Sequence, residues 1–144
     1  MTIQELAETL PNGFHDAHVS CLKIDYARRE VAFEMSVWVG EVDSPDLAVR
    51  ECHRPAVLKL TGLLYCVIEP PDTRYPYLDA RDLTIDIGDL GLLPAPGPSN
   101  LPSVTLDGAF RSWIFVNQWN AFIYVAACKA CLTWRNEPGS DETI

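Results

Sequence analysis

The chain has 144 residues, with 11 basic and 20 acidic side chains, so its formal net charge is −9. This length is typical of one domain, and an apolar fraction of 48% excludes a disordered chain, a fibrous protein and a disulfide-dense miniprotein. The acidic balance argues against nucleic-acid binding, which needs a basic surface. Acidic residues outnumber basic ones in both halves, so we interpret the charge as a solvated surface.

The N-terminal segment is predicted to form a short helix over residues 1–10. Thr2 and Glu5 have the spacing of a capping box, apolar residues recur every three or four positions, and the Pro-Asn-Gly sequence at 11–13 ends the helix. The segment has no basic stretch followed by an apolar one, so it does not predict a secretory signal. The longest apolar run, 121–128, is too short to span a membrane. We therefore expect a cytoplasmic protein with no membrane partner, whose five cysteines are free thiols.

After the helix the hydrophobic period changes to two, which is typical of strands. Residues 18–26 and 31–39 alternate and predict a hairpin. Further strands are predicted at 55–61, 63–68, 83–87, 109–117 and 121–135, with loops at 40–51 and 88–108. The predicted fold is mostly β: a single-domain antiparallel β-sandwich or partly open barrel with a short N-terminal helix, a β core over 14–135 and a frayed tail over 136–144. The alternative makes residues 121–134 a buried helix.

The strand over 121–135 contains a C-x-x-C sequence at Cys128 and Cys131. On a strand, a separation of three places the two thiols on opposite faces, so they could not share a metal ion. We therefore predict that Cys128 is a small buried residue. It would share the inner face with Phe122, Tyr124, Ala126, Ala130 and Leu132.

Two histidines and an aspartate lie close together in the sequence where the predicted helix connects to the first predicted strand. His15, Asp16 and His18 are candidate ligands for a small molecule or a divalent metal, and His53 could supply a third imidazole. The alternative is structural, with these side chains bonding backbone groups at the turn. No bound cofactor is predicted, and the acidic loop 40–51 lacks the ligand spacing of a calcium site.

Aromatic residues gather in the last third of the chain. Trp113 and Phe115 share one face of a strand that is also apolar on the other face, which is typical of a strand covered on both sides. Trp119 lies at a predicted turn, where it either packs under the long loop or anchors a partner. Trp113, Trp119 and Trp38 are therefore the candidate interface residues.

Known catalytic sequence patterns are missing. The chain has no nucleophile elbow, no phosphate-binding loop, no zinc-protease helix motif and no dinucleotide fingerprint. This favours a protein that is not an enzyme.

Four segments together resemble a family of small, β-rich bacterial proteins of unknown function: L-P-N-G-F-H-D-A at 10–17, the segments 60–64 and 68–72, and F-V-N-Q-W-N at 115–120. The short opening motif is also similar to some immunity-type proteins of bacterial toxin systems. The nearer resemblance implies a β-rich fold and no particular activity. The second implies a protein that neutralises a toxin.

The first hypothesis is thus a non-enzymatic binding or protein-interaction module that associates with itself or with another protein. The second is a small-ligand or metal site near His15, Asp16 and His18, with hydrolysis as a further option. The third is an immunity-like protein.

Overall fold

The computed structural model describes residues 1–75, 81–92, 100–102, 104, 106–135 and 141–144, and about half of them belong to one antiparallel sheet. Its strands are β1 (Ala17–Asp25), β2 (Glu30–Trp38), β3 (His53–Thr61), β4 (Tyr65–Ile68), β5 (Leu83–Asp89), β6 (Phe110–Val116), β7 (Ala121–Ala127), β8 (Lys129–Arg135) and β9 (Asp141–Thr143). The strand order is β4-β7-β6-β5-β1-β2-β3-β8-β9. The mostly β, antiparallel prediction is confirmed.

Two long stretches of chain, each bent in the middle, connect the two ends of this sheet. Strand β3 leads into β4 after three residues, and β7 leads into β8 after Cys128, while β3 pairs with β8 and β4 with β7. The sheet must therefore curl strongly, which gives a partly open barrel. Gly62 makes the bend possible, because its φ is +64° and an added Cβ would lie 2.8 Å from the Cβ of Cys128.

The barrel interior follows from the alternation of side chains along each strand. On β2, Val31, Phe33, Met35 and Val37 are buried and their neighbours are half-exposed, as the alternation predicted. On β6 the apolar residues on both faces are covered, because Trp113 packs in a second cluster on the outer side of the sheet.

Helix α1 (Ile3–Glu8) closes one end of the barrel. The predicted capping box is present, since Thr2 Oγ1 accepts from the Glu5 backbone and Glu5 accepts from the Thr2 backbone. Ile3 and Leu6 are fully buried in the core, and Gln4 donates to the buried Ser112 Oγ at 3.1 Å. A second helix, α2 (Leu47–Arg50), is a single turn within the predicted loop 40–51. No helix in the described part of the chain combines the length and apolar character needed to cross a membrane.

The prediction of one strand over 121–135 is wrong at Cys128, and the predicted inner face is wrong before the bend but confirmed after it, at Ala130 and Leu132. The chain bends there, so Ile123 and Val125 point inward before the bend and Leu132 after it. Phe122, Tyr124 and Ala126 lie instead in the outer cluster, and Cys128 is only partly buried. Side chains alternate between the two faces of a strand, so the one residue that forms the bend shifts this alternation by one position.

Three smaller predictions also need correction. The strand predicted at 63–68 begins at Tyr65, and Val67 and Ile68 are exposed because β4 is an edge strand. Within the predicted frayed tail, residues 141–143 pair with β8 as β9, while 136–140 lie outside the described residues. The predicted loop 88–108 begins too early, because β5 extends to Asp89. Residues 93–99, 103 and 105 of this loop lie outside the described residues.

Candidate functional site

A half-open pocket of about 350 Å³ lies against the barrel interior. Nine apolar side chains line it: Val19, Leu22, Phe33, Leu83, Ile85, Ile114, Val116, Trp119 and Ile123. The remaining described lining residues are Ser20, Cys21 and Arg81. Since Ser20 and Arg81 are exposed, they mark the mouth of the cavity.

The position of the cavity follows from the path of β6. Its inward residues run from Ser112, which contacts α1, through Ile114 to Val116. Ile114 and Val116 line the cavity, so the helix closes the end of the barrel away from the mouth.

Trp119 forms one wall of this mouth. It lies in the short 3-10 turn Asn117–Trp119 between β6 and β7 and is half-buried against the core. The neighbouring Gln118 side chain holds the turn to β5, because its Oε1 accepts from the Thr84 backbone at 2.8 Å and its Nε2 donates to Thr84 Oγ1 at 3.0 Å. The sequence left open whether Trp119 is core or interface, and the structure places it at the cavity.

The cavity has the character of a small-molecule site. Such sites are concave, mainly apolar and a few hundred Å³ in volume, and the mouths of β-barrels are among their usual places. At roughly 30 Å³ for a water-sized group, the space accommodates about ten to twelve non-hydrogen atoms. The arrangement can bind an apolar molecule, and no nucleophile–base pair lies among the described lining residues.

A second feature lies outside the barrel, where His15 contacts two carboxylates. Its Nδ1 is 2.6 Å from Asp86 Oδ1 and its Nε2 is 3.3 Å from Asp16 Oδ2. The hydrogen bond to Asp86, together with the negative charges of both aspartates, raises the pKa of His15, although partial burial opposes this. The cluster therefore stabilises the imidazolium form.

The strand register explains why these groups meet. Ala17 pairs with Ile85 in an antiparallel register, so Asp16, which precedes Ala17, lies opposite Asp86, which follows Ile85. Two carboxylates facing each other repel, and the imidazolium of His15 between them offsets this repulsion. Asp16 has a left-handed backbone, with φ of 52°, which Asp tolerates better than most residues.

The other two predicted ligands form a separate pair. The rings of His18 and His53 lie 4.7 Å apart, which the sequence gave no reason to expect. His53 contacts backbone oxygens, with Nδ1 3.0 Å from Glu51 O and Nε2 3.4 Å from Asp16 O. The described residues that could share a metal ion are instead His15, Asp16 and Asp86. Asp86 was not among the sequence candidates, because only the pairing of β1 with β5 brings it there.

Trp38 and Trp113, the other two interface candidates, are both half-buried. Trp38 Nε1 donates to Arg50 O at 2.7 Å, which holds α2 against the end of β2. Trp113 packs over Gly88, where an added Cβ would lie 2.2 Å from its ring, and edge-on to Phe122. Self-association through these residues stays a prediction.

Comparisons with protein-family models, with curated proteins and with solved structures gave no match. The resemblances to β-rich bacterial proteins and to immunity-type proteins therefore stay predictions, and the function has to be argued from the site itself.

Sequence reasoning missed the cavity entirely. The signal available was the inward alternation on β1, β5 and β6, which predicts that Val19, Ile85 and Ile114 face the core. Alternation does not show whether the space between facing side chains is filled, because that depends on the curvature of the whole sheet.

Proposed function

We propose that this protein binds a small apolar molecule inside its barrel. The observation that carries the proposal is the cavity of about 350 Å³, with nine apolar lining residues and a mouth marked by exposed side chains. Protein interiors are normally packed without voids much larger than a water molecule. A concave, mainly apolar pocket of this size that opens to solvent is suited to a small-molecule ligand.

The rigid surroundings of the cavity support the same proposal. Phe33, Ile85 and Ile114 are fully buried, and each belongs to a strand paired on both sides. A preformed wall lowers the entropic cost of binding, because few side chains need to be ordered when the ligand enters.

The test uses 1-octanol, which has nine non-hydrogen atoms, as an apolar probe. Isothermal titration and ¹H–¹⁵N NMR should show saturable binding, with shifts confined to cavity residues such as Val19, Ile85 and Ile123. The substitution Leu83→Trp adds bulk at the half-buried mouth and should abolish binding. The control Val67→Trp makes a comparable change at an exposed position on β4 and should bind as the wild type does.

Two outcomes would overturn this function. One is that octanol binds without saturation or shifts residues outside the cavity. The other is that Leu83→Trp remains folded by NMR and binds as tightly as Val67→Trp.

A second candidate function is the binding of a divalent metal by His15, Asp16 and Asp86. It is favoured by one observation, that a ligand atom from each residue lies within 4.8 Å of the others. Imidazole combined with carboxylates suits Zn²⁺ or Co²⁺. The metal would have to displace the imidazolium proton, so its affinity should rise with pH.

Co²⁺ provides the test, because its visible absorption reports the ligands directly. Titration of the wild type at pH 8 should produce bands that Asp86→Asn abolishes and that Asp43→Asn, at an exposed position of the loop 40–51, leaves unchanged. Absence of saturable bands in the wild type would exclude this function.

A further inference from the structure

We propose that the ligand of the barrel is a small apolar carboxylic acid, whose hydrocarbon part fills the cavity and whose carboxylate binds Arg81. This inference rests on the function proposed above and adds the chemical class of the ligand.

The charge at the mouth is the first argument. Among the described lining residues, Arg81 alone carries a charge, and it is a cation in a chain whose net charge is −9. An amine would meet a like charge at this mouth, and a neutral molecule would leave the guanidinium without a partner. An acid supplies the opposite charge at the point where the apolar surface ends.

The second argument is that Arg81 has no ion-pair or hydrogen-bond partner among the residues that the structure describes. Three other arginines are ion-paired, Arg28 with Asp25, Arg74 with Asp72 and Arg135 with Glu34, whereas the exposed Arg111, which does not line this cavity, also lacks such a partner among the described residues. A guanidinium binds a carboxylate through two parallel hydrogen bonds, so a free one at a pocket is suited to this group.

The third argument is the division of the cavity into an apolar part and a polar rim. The polar lining residues Ser20 and Cys21 lie together on β1, at its bulge, while the side chains deeper in the barrel are apolar. A molecule with one polar end fits only with that end at the mouth. With room for about ten to twelve non-hydrogen atoms, an eight-carbon acid is of suitable size.

The experiment compares octanoate, 1-octanol and octylamine by isothermal titration at pH 7.5 and 50 mM salt. Wild-type protein should bind octanoate about tenfold more tightly than octanol, as expected of a charge-assisted contact at an exposed site, and octylamine more weakly than either. Because the site is exposed to salt, the preference should shrink at 500 mM salt.

Arg81→Gln should remove the preference, so that octanoate and octanol bind this variant with similar affinity, and Arg81→Lys should keep part of the preference. The control Arg28→Gln removes a cation that does not line the cavity, and it should bind all three probes as the wild type does.

The possible failures are distinguishable. If octanol binds in the cavity but octanoate binds no better, or if Arg81→Gln retains the preference, the inference about acids is overturned and the binding function stands. If neither octanol nor octanoate binds in the cavity, both proposals are overturned.

Discussion

His15 Nδ1 lies 2.6 Å from Asp86 Oδ1, and this contact ties the turn after α1 to strand β5 across 71 positions of sequence. Such a contact is strongest when the imidazole is protonated, because donor and acceptor are then both charged. It also holds the imidazole of His15 between the carboxylates of Asp16 and Asp86. The relationship leads to two predictions.

Asp86→Asn should lower the pKa of His15, because the largest cause of its raised value is the hydrogen bond to the Asp86 carboxylate. NMR titration of the imidazole C–H signals measures this directly. The control Asp43→Asn removes a charge elsewhere on the surface and should leave the His15 titration where it is. An unchanged titration in Asp86→Asn would contradict the assigned geometry.

The raised pKa of His15 also predicts a pH-dependent contribution to stability. The folded protein binds the proton more tightly than the unfolded chain, so the contribution is fully present below the unfolded value of about 6.5. It is lost as the pH rises through the folded pKa. The size should stay under about 1 kcal/mol, since the His15 side chain is 60% exposed and its ion pairs are screened.

Urea unfolding of wild type and His15→Gln at pH 6 and pH 9 checks this. The difference in the free energy of unfolding should be larger at pH 6, and a difference that grows toward pH 9 would have the wrong sign. The common titration of other groups cancels when the two proteins are compared at the same pH.

Tyr65→Phe should leave stability unchanged or raise it. The Tyr65 hydroxyl is buried in the outer cluster without a hydrogen-bond partner among the described residues, so removing it relieves a desolvated group. Tyr26→Phe is the matched comparison, because it deletes a hydroxyl that donates to Cys66 O at 3.0 Å and should cost about 0.5–1 kcal/mol. Urea unfolding measures both. If Tyr65→Phe lowers the free energy of unfolding more than Tyr26→Phe does, the Tyr65 hydroxyl has a hydrogen-bond partner and the prediction is wrong.

The five cysteines are free thiols in the structure, as predicted, and they should react at different rates. Burial raises the pKa of Cys66 to about 11, so little of it is thiolate at pH 8. Iodoacetamide at pH 8 should therefore label the exposed Cys52 well before Cys66, as followed by mass spectrometry. Equal labelling rates in the folded protein would contradict the buried position, and labelling in urea provides the unfolded reference.

The parts of the fold that depend on neighbours in sequence were predictable. The capping box of Thr2 and Glu5 and the alternation along β2 placed α1 and the first hairpin within a few residues of their observed bounds. Both signals are local, because a cap satisfies backbone groups three residues away and a strand alternates at each step.

The site could be predicted only in part. His15 and Asp16 were singled out because they are adjacent in sequence, whereas Asp86 joins them only through the pairing of β1 with β5. The meeting of His18 with His53 likewise depends on β2 lying between β1 and β3.

By itself, the sequence determined that this is an acidic, mostly β chain with a capped helix and free thiols, since composition and short-range periodicity suffice for these properties. Tertiary structure alone decided that the chain bends at Cys128 beside Gly62, that the sheet therefore curls into a partly open barrel, and that a pocket remains beside Trp119 and Arg81. The physical reason is that curvature and unfilled volume belong to the pairing of all the strands, and no local pattern of residues encodes them.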